Sequence, residues 1–315
     1  QYLAHYEAYQ RIFARCGLPV KAIQSDTGMM GGKMAHEFMY FTPVGEDSIL
    51  TCSNCGYTAN QQVARFLKKP FSSEEPLPLE KIATPETSTI DALAELLNIP
   101  RERTAKAVFM MAKIPSAGSN EVIREKFIFA VVRGDMDVNE TKLSNALKAI
   151  ELRPASEEEI ITTGAAPGYA SPLGLKDVLV IVDDLIPQSP NLVAGANETG
   201  FHLRNVNYGR DYKAQIVTDI VSAGDGATCP ECAKAMALTR GVEVGHIFKL
   251  GTRYTEALGC NYLAEDGSAK PVIMGSYGIG GGRLLACIAE EHHDELGLTW
   301  PESVAPYPIH LVVLS

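Results

Sequence analysis

The sequence is poor in several features, and each shortage excludes a class of protein. No apolar run reaches the roughly 20 residues that a membrane-spanning helix needs, and the N-terminus has no charged segment followed by an apolar one. Lysine and arginine number 28 against 38 acidic residues, which gives a net charge of −10. Such a surface does not suit wrapping a nucleic acid, so any RNA contact should be local. The sequence predicts a soluble, cytoplasmic protein with no membrane partner.

Cysteine is too scarce for a disulfide-stapled fold, with seven in 315 residues. Four of them form two C-x-x-C pairs, Cys52 with Cys55 and Cys229 with Cys232, which favour a metal in a reducing compartment. Four thiolates would make a closed structural zinc site with no open coordination position. A redox-active or incidental pair is the alternative. Because the pairs are far apart in the sequence, a shared metal requires the chain between them to leave and return, as an inserted domain does.

A glycine-rich segment near the end of the sequence is the most informative motif. Residues 271–274 predict a short strand and residues 284–291 a helix, so the glycines of residues 278–282 lie at a strand-to-helix junction. Such a junction lets the backbone approach a flat ligand and offers N–H groups to phosphate, and Arg283 adds a planar cation. The combination suits a nucleotide, with an ordinary tight turn as the alternative.

Residues 241–258, Gly-Val-Glu-Val-Gly-His-Ile-Phe-Lys-Leu-Gly-Thr-Arg-Tyr-Thr-Glu-Ala-Leu, together with residues 274–283 resemble bacterial-type prolyl-tRNA synthetases. Residues 278–283 look like motif 3 of the class II synthetases, and the resemblance covers essentially the whole chain. It implies proline, tRNA(Pro), ATP and Mg²⁺ as substrates and cofactors. The residues it implies for ATP are Gly278, Gly280, Thr252 and Arg283, the last also catalytic, and those for proline are His36, Glu37, Gly245, His246, Phe248 and Ser276.

Residues 82–215 resemble the YbaK-like editing domain that is inserted into these synthetases. Within that resemblance Lys106 and His202 match residues of the editing pocket, and the loop of residues 164–174, with Gly164 and Pro172, is similar to the loop that shapes it. The Lys106 ammonium could hold phosphates of the terminal adenosine. Without the family, a solvated lysine and a structural histidine would be the favoured interpretations. Met136 stands where the family usually has histidine, so this position departs from the family's pattern.

The resemblance implies an α+β fold, in which the antiparallel-sheet catalytic core of a class II synthetase is interrupted by a mixed α/β YbaK-like domain. The predicted divisions are residues 1–69 and 216–304 for the core, 82–215 for the insert, and 305–315 for the start of an anticodon-binding domain. Local patterns add detail. Apolar residues at spacings of three and four predict a helix in residues 1–16, and strands at 20–24 and 37–41 predict a hairpin with His36 and Glu37 at its rim.

The implied activity is ATP-dependent attachment of proline to tRNA(Pro), with hydrolysis of alanyl-tRNA(Pro) by the insert. A pocket shaped for proline cannot strongly reject a smaller side chain by binding alone, which is why editing is needed. Motif 1, the proline-recognition loop and the motif 2 arginine have no equivalent here, so we expect this chain to be incompetent for aminoacylation. The family implies a homodimer for the full-length protein. A trans-acting deacylase and a non-catalytic RNA-binding paralogue stay open as alternatives.

Overall fold

The computed structural model describes residues 1–71, 74–116, 119–309 and 311–313. The chain forms two compact units. The first contains Gln1–Leu67 and Ala223–Ser315, and the second contains Lys68–Ser222. No helix in the described residues is long and apolar enough to span a bilayer.

The helices are α1 (Tyr2–Arg15), α2 (Ile90–Leu97), α3 (Glu140–Leu147), α4 (Glu157–Thr162), α5 (Arg253–Ala257) and α6 (Gly281–Glu291). Short 3₁₀ turns occupy Gly28–Met30, Arg101–Arg103 and Ile186–Gln188. The strands are β1 (Val20–Ser25), β2 (Met34–Phe41), β3 (Asp47–Thr51), β4 (Thr58–Asn60), β5 (Glu80–Ala83), β6 (Ala105–Ser116), β7 (Ser119–Arg133), β8 (Glu151–Pro154), β9 (Leu179–Val182), β10 (Leu192–Gly195), β11 (Phe201–Val206), β12 (Ile216–Val217), β13 (Ala237–Gly251), β14 (Asn261–Leu263), β15 (Ala269–Pro271), β16 (Met274–Ile279), β17 (His293–Asp294) and β18 (Gly297–Leu298).

The first unit is built on a six-stranded sheet in the order β16-β13-β2-β1-β4-β3, in which β13 also pairs with β3. The pairs are antiparallel except β1 with β4. Strand β13 is long because its first part pairs with β3 and its second part lies between β2 and β16. Helix α1 covers one face of this sheet, where Tyr9 and Phe13 pack with Phe38 and Ile247. The opposite face carries the candidate site described below.

The second unit contains a five-stranded sheet in the order β12-β9-β7-β6-β8 and a three-stranded sheet in the order β10-β11-β5. Strand β9 pairs in parallel with both β7 and β12, and the other pairs of the unit are antiparallel. Phe129 and Val182 are fully buried in its main apolar cluster. Helix α2 begins at an N-cap, Thr89, whose side chain accepts the N–H of Ala92, and ends at Asn98 in the left-handed conformation.

The strand predicted at residues 271–274 is wrong. The structure places β15 at Ala269–Pro271 and β16 at Met274–Ile279, so Gly275 and Gly278 belong to the strand itself. The reason is pairing with β13, which runs from Gly251 opposite Met274 to Gly245 opposite Ile279. Ladder hydrogen bonds of this kind fix a strand despite the poor intrinsic preference of glycine. The strand-to-helix junction is therefore confined to Gly280, the N-cap of α6.

Candidate functional sites

The second unit has a cavity of about 410 Å³ that is lined by both predicted editing residues, Lys106 and His202. Lys106 lies on β6 and pairs with Asp137, with its Nζ 2.5 Å from Oδ1. Asp137 and Met136 line the same cavity. The Lys106 side chain is about one-third exposed, so its ammonium remains available to an anionic ligand that displaces the carboxylate.

His202 approaches the cavity from β11 and is almost fully buried, at 4 % exposure. Its Nδ1 lies 2.6 Å from Thr84 Oγ1, and its ring lies in a tilted arrangement with Tyr169 at 5.3 Å between centroids. Burial lowers the pKa of His202 to about 4 because the charged imidazolium loses its hydration. The imidazole is therefore neutral at physiological pH.

The low pKa of His202 predicts a pH dependence of stability. The unfolded chain binds a proton on this residue near pH 6.5, whereas the folded chain binds it near pH 4. Its contribution is therefore complete above about pH 6.5 and is lost as the pH falls towards 4. Between pH 7 and 4.5 the wild type should lose about 2 kcal/mol more than His202→Asn. Urea unfolding followed by circular dichroism at both pH values measures the difference, and equal losses would contradict the assignment.

The loop of residues 164–174 contributes to the cavity with its middle residues. Gly168 and Ala170 line it, whereas Gly164 lies in a separate groove with Thr163 and Lys176. Pro172 lines a small void that shares Ala170 with the cavity. Neither Gly164 nor Pro172, the two loop residues predicted from the sequence, lines the main cavity.

Two residues fix this loop beside His202. Asn197 donates from Nδ2 to the carbonyls of Ser171 and Leu173, and its Oδ1 accepts the N–H of Ser171. Gly195 pairs with His202 across β10 and β11. A Cβ at Gly195 would lie 2.0 Å from the carbonyl carbon of Tyr169, so only glycine lets the loop backbone pack this closely against the strand.

In the first unit, several predicted proline-site residues share the sheet face opposite α1. Glu37 on β2 and Gly278 on β16 both lie directly across from His246 on β13, and Ser276 lies across from Phe248. The His246 ring stacks on Phe248 at 3.9 Å, and its Nε2 lies 3.1 Å from Ser25 Oγ. The face therefore combines a flat apolar wall with a polar rim, as a small ligand pocket requires.

His36 and Gly245 do not belong to this face, because neighbouring residues of a strand point to opposite sides. The Tyr2 hydroxyl contacts His36 Nδ1 at 2.7 Å, which places His36 on the α1 side. A Cβ at Gly245 would lie 3.0 Å from Phe13 Cζ, so Gly245 serves the close packing of α1. The structure corrects both placements.

Glu37 does not lie at a hairpin rim either, since it is buried in the middle of β2, at 8 % exposure. Burial raises its pKa to about 7, although His246 and the hydrogen bond from Asn60 act in the opposite direction. A register shift between Glu243 and Gly245 brings Glu243 to the same face, where its Oε1 lies 3.4 Å from His246 Nδ1. The result is a compact group of two carboxyls and an imidazole.

Arg283 lies in the first turn of α6 with its side chain half-exposed. Its guanidinium donates to the Glu243 carbonyl at 3.1 Å and pairs with Glu46 at 3.1 Å. It is thus held beside the face that carries His246. Thr252 follows the other end of the β13–β16 pair, about 20 Å along the strand, and its hydroxyl donates to Glu256. The structure does not bring Thr252 together with Arg283.

The four paired cysteines meet in the first unit. Their sulfurs all lie within 4.8 Å of one another, with Cys52 3.4 Å from Cys232 and Cys55 3.6 Å from Cys229. Zn–S bonds of about 2.3 Å would place tetrahedral sulfurs about 3.8 Å apart, so the donor set fits zinc. Two tight turns present the thiols, one closed by Cys52 N–H to the Tyr57 carbonyl and the other by Cys229 N–H to the Lys234 carbonyl.

Residues 84–212 match the family model of the aminoacyl-tRNA editing domain. These residues lie within the second unit and include both Lys106 and His202. The second unit thus contains an aminoacyl-tRNA editing domain of mixed α/β fold.

The chain is also homologous along its whole length to proline–tRNA ligases, which confirms the resemblance found in the sequence. It is 54 % identical over 315 residues to that of Salinispora tropica, covering 100 % of this chain and 53 % of the relative. It is 48 % identical over 305 residues to that of Dehalococcoides mccartyi, covering 97 % and 52 %. The chain spans about half the length of the curated relatives it matches.

A solved structure of a proposed trans-editing enzyme for prolyl tRNA synthetase matches 46 % of this chain and 87 % of its own, at 18 % identity. Its TM-score of 0.35 is too low to bear on the function.

Proposed function

We propose that the second unit hydrolyses alanyl-tRNA(Pro). The observation that carries the proposal is that Lys106 and His202, far apart in the sequence, line one cavity of an aminoacyl-tRNA editing domain. The cavity volume suits a terminal adenosine with a small aminoacyl group. Lys106 would bind the anionic phosphates of the tRNA end, and the neutral His202 would contact the ester or the ribose.

Hydrolysis of mischarged tRNA tests this proposal. The wild-type chain should deacylate alanyl-tRNA(Pro) faster than prolyl-tRNA(Pro), and Lys106→Ala should lower kcat/KM for the alanyl ester by at least about tenfold through loss of charge-assisted phosphate contacts. Lys113→Ala is the matched control. Lys113 lies on the same strand and pairs with a carboxylate, Glu151, but it is absent from the residues lining the cavity. Equal rates for Lys106→Ala and the control would reject the assigned role.

For the whole parent protein we propose the activity that its relatives' names state, joining proline to tRNA. ATP and Mg²⁺ would be required, with Arg283 and the backbone at Gly278 and Gly280 near the nucleotide. The stacked pair His246 and Phe248 would bound the proline ring, with Ser276 on the same face. We further propose that the parent works in the cytoplasm as a homodimer and that the first unit is part of a class II catalytic core. Its mainly antiparallel sheet and the half-exposed Arg283 support this.

We also propose that Cys52, Cys55, Cys229 and Cys232 bind one structural zinc ion. The sulfur spacing and the two tight turns support this proposal. A four-sulfur site has no open position, so the metal would stabilise the fold and take no part in catalysis.

A further inference from the structure

The contact between Thr84 and His202 restricts the chemistry of the histidine. Thr84 Oγ1 and His202 Nδ1 lie 2.6 Å apart, and both residues are buried, Thr84 completely. Thr84 follows β5 and His202 lies on β11, which pairs with that strand. The hydrogen bond is therefore held by the sheet and shielded from water.

The direction of this hydrogen bond follows from the other bonds of Thr84. Its N–H donates to the Gly200 carbonyl, and its carbonyl accepts the Thr87 hydroxyl. Its own hydroxyl has one partner among the described residues, His202 Nδ1. A buried hydroxyl proton needs an acceptor, and an unprotonated Nδ1 supplies it. If Nδ1 carried the proton, the Thr84 proton would have no acceptor there.

A neutral imidazole that accepts at Nδ1 carries its proton on Nε2. His202 lines the cavity, and its Nδ1 is already engaged. We propose that Thr84 is a positioning residue that fixes His202 as the Nε2–H tautomer, so that His202 donates a hydrogen bond to an oxygen of the bound ester or ribose and does not act as a general base. The role of His202 as a donor to the substrate rests on the deacylase function proposed above, whereas the assignment of the tautomer does not.

The low pKa of His202 agrees with this assignment, because a permanently neutral ring remains a donor at Nε2 throughout the physiological range. Lys106 supplies a second donor to the cavity. The proton of an attacking water must therefore be accepted by a group other than His202.

Long-range ¹H–¹⁵N correlation spectra of the chain labelled at histidine nitrogen read the tautomer directly. We expect the ring of His202, assigned by its loss in His202→Asn, to show a protonated Nε2 and an unprotonated Nδ1. A protonated Nδ1 in the wild type would overturn the proposal, and this readout needs no variant at Thr84 and no substrate.

Thr84→Val keeps the shape of the side chain and removes the hydroxyl. We expect it to give a mixture of tautomers and to lower the deacylation rate of alanyl-tRNA(Pro) by at least about tenfold. We expect Thr84→Ser to restore the single tautomer and the rate.

The control is Thr104→Val, since Thr104 is also fully buried and its hydroxyl donates to the Arg101 carbonyl. An unchanged spectrum and rate in Thr84→Val would overturn the proposal. Nε2–H in a chain that hydrolyses no aminoacyl-tRNA would uphold the tautomer and reject the proposed function.

Discussion

Cys52→Ser is expected to abolish stoichiometric zinc binding and to lower the free energy of unfolding by at least about 3 kcal/mol. The loss of stability should be large because the four cysteines close one end of the six-stranded sheet of the first unit. Thr51, the last residue of β3, pairs with Ala237, the first residue of β13. Cys52 follows directly, and Cys229 and Cys232 precede β13. Without the metal, the two turns would keep their own hydrogen bonds, a few contacts such as that of Lys21 Nζ with the Gly56 carbonyl, and a small apolar cluster that includes Leu50 and Met236.

Zinc content by mass spectrometry and urea unfolding, both under reducing conditions, measure these effects. Cys260→Ser is the matched control because Cys260 is an exposed cysteine of the same unit outside the cluster. It should leave both the zinc content and the stability unchanged. A wild-type protein that contains no zinc, or a Cys52→Ser variant that retains it, would contradict the proposed four-sulfur site.

The sequence predicted the elements whose pattern is local. The three- and four-residue spacing of apolar side chains in residues 1–16 indicated a helix, and α1 occupies Tyr2–Arg15. Strand β13 begins at Ala237, before the segment of residues 241–258 that carries the resemblance. Its additional residues pair with β3, which belongs to a distant part of the sequence. Periodicity within a short window carries no information about such pairing.

The faces of the first unit's sheet were only partly predictable. Successive residues of a strand lie on opposite faces of the sheet, so His36 is separated from Glu37 and Gly245 from His246. Two neighbouring residues of a regular strand therefore cannot line the same pocket. The irregularity between Glu243 and Gly245 has no comparable signal in the sequence. This irregularity brings Glu243 close to His246, which is seen only in the pairing register of β13 with β2.

In the second unit, Lys106 and His202 were predicted from the resemblance, but the residues that contact them were not. Thr84 was not among the predicted pocket residues, but it is the partner of His202. The sequence Thr84-Pro-Glu indicates a turn. Local composition of this kind carries no information about a partner that is distant in the sequence. Gly195 likewise owes its importance to the backbone of Tyr169, a contact between distant residues.

Lys68→Met is expected to destabilise the second unit by about 3–5 kcal/mol, because it removes one partner of a buried ionic cluster. Lys68 Nζ lies 2.6 Å from Asp183, 2.6 Å from Asp184 and 2.7 Å from Asp219, and its side chain is only 7 % exposed. Burial alone would lower the pKa of Lys68, but these carboxylates reverse the effect and raise it. Asp183 is completely buried, so the variant would leave its charge without this cation.

Urea unfolding followed by circular dichroism measures the loss. Lys113→Met is the control, since the Lys113–Glu151 pair is about half-exposed and should be worth at most about 1 kcal/mol. In the double variant Lys68→Met with Asp183→Asn, part of the stability should return, because the buried charge is removed. The recovery should be incomplete, because the carboxylate accepts the N–H of Leu185 at Oδ1 and the N–H of Ile220 at Oδ2, and an amide has only one oxygen to accept them. Equal losses in the single and double variants would show that packing of the lysine stem, and not the unpaired charge, carries the effect.

The pH dependence separates the same two explanations. Burial already raises the pKa of Asp183 against the opposing effect of Lys68, and removal of the cation should raise it further. A folded-state pKa above the unfolded value means that the folded chain gains protons first as the pH falls. The penalty of Lys68→Met should therefore shrink on acidification, whereas a packing defect would keep its size. Because Lys68 opens the second unit and Asp219 lies near its end, a shrinking penalty would also show that charge pairing holds the two ends of the inserted unit together.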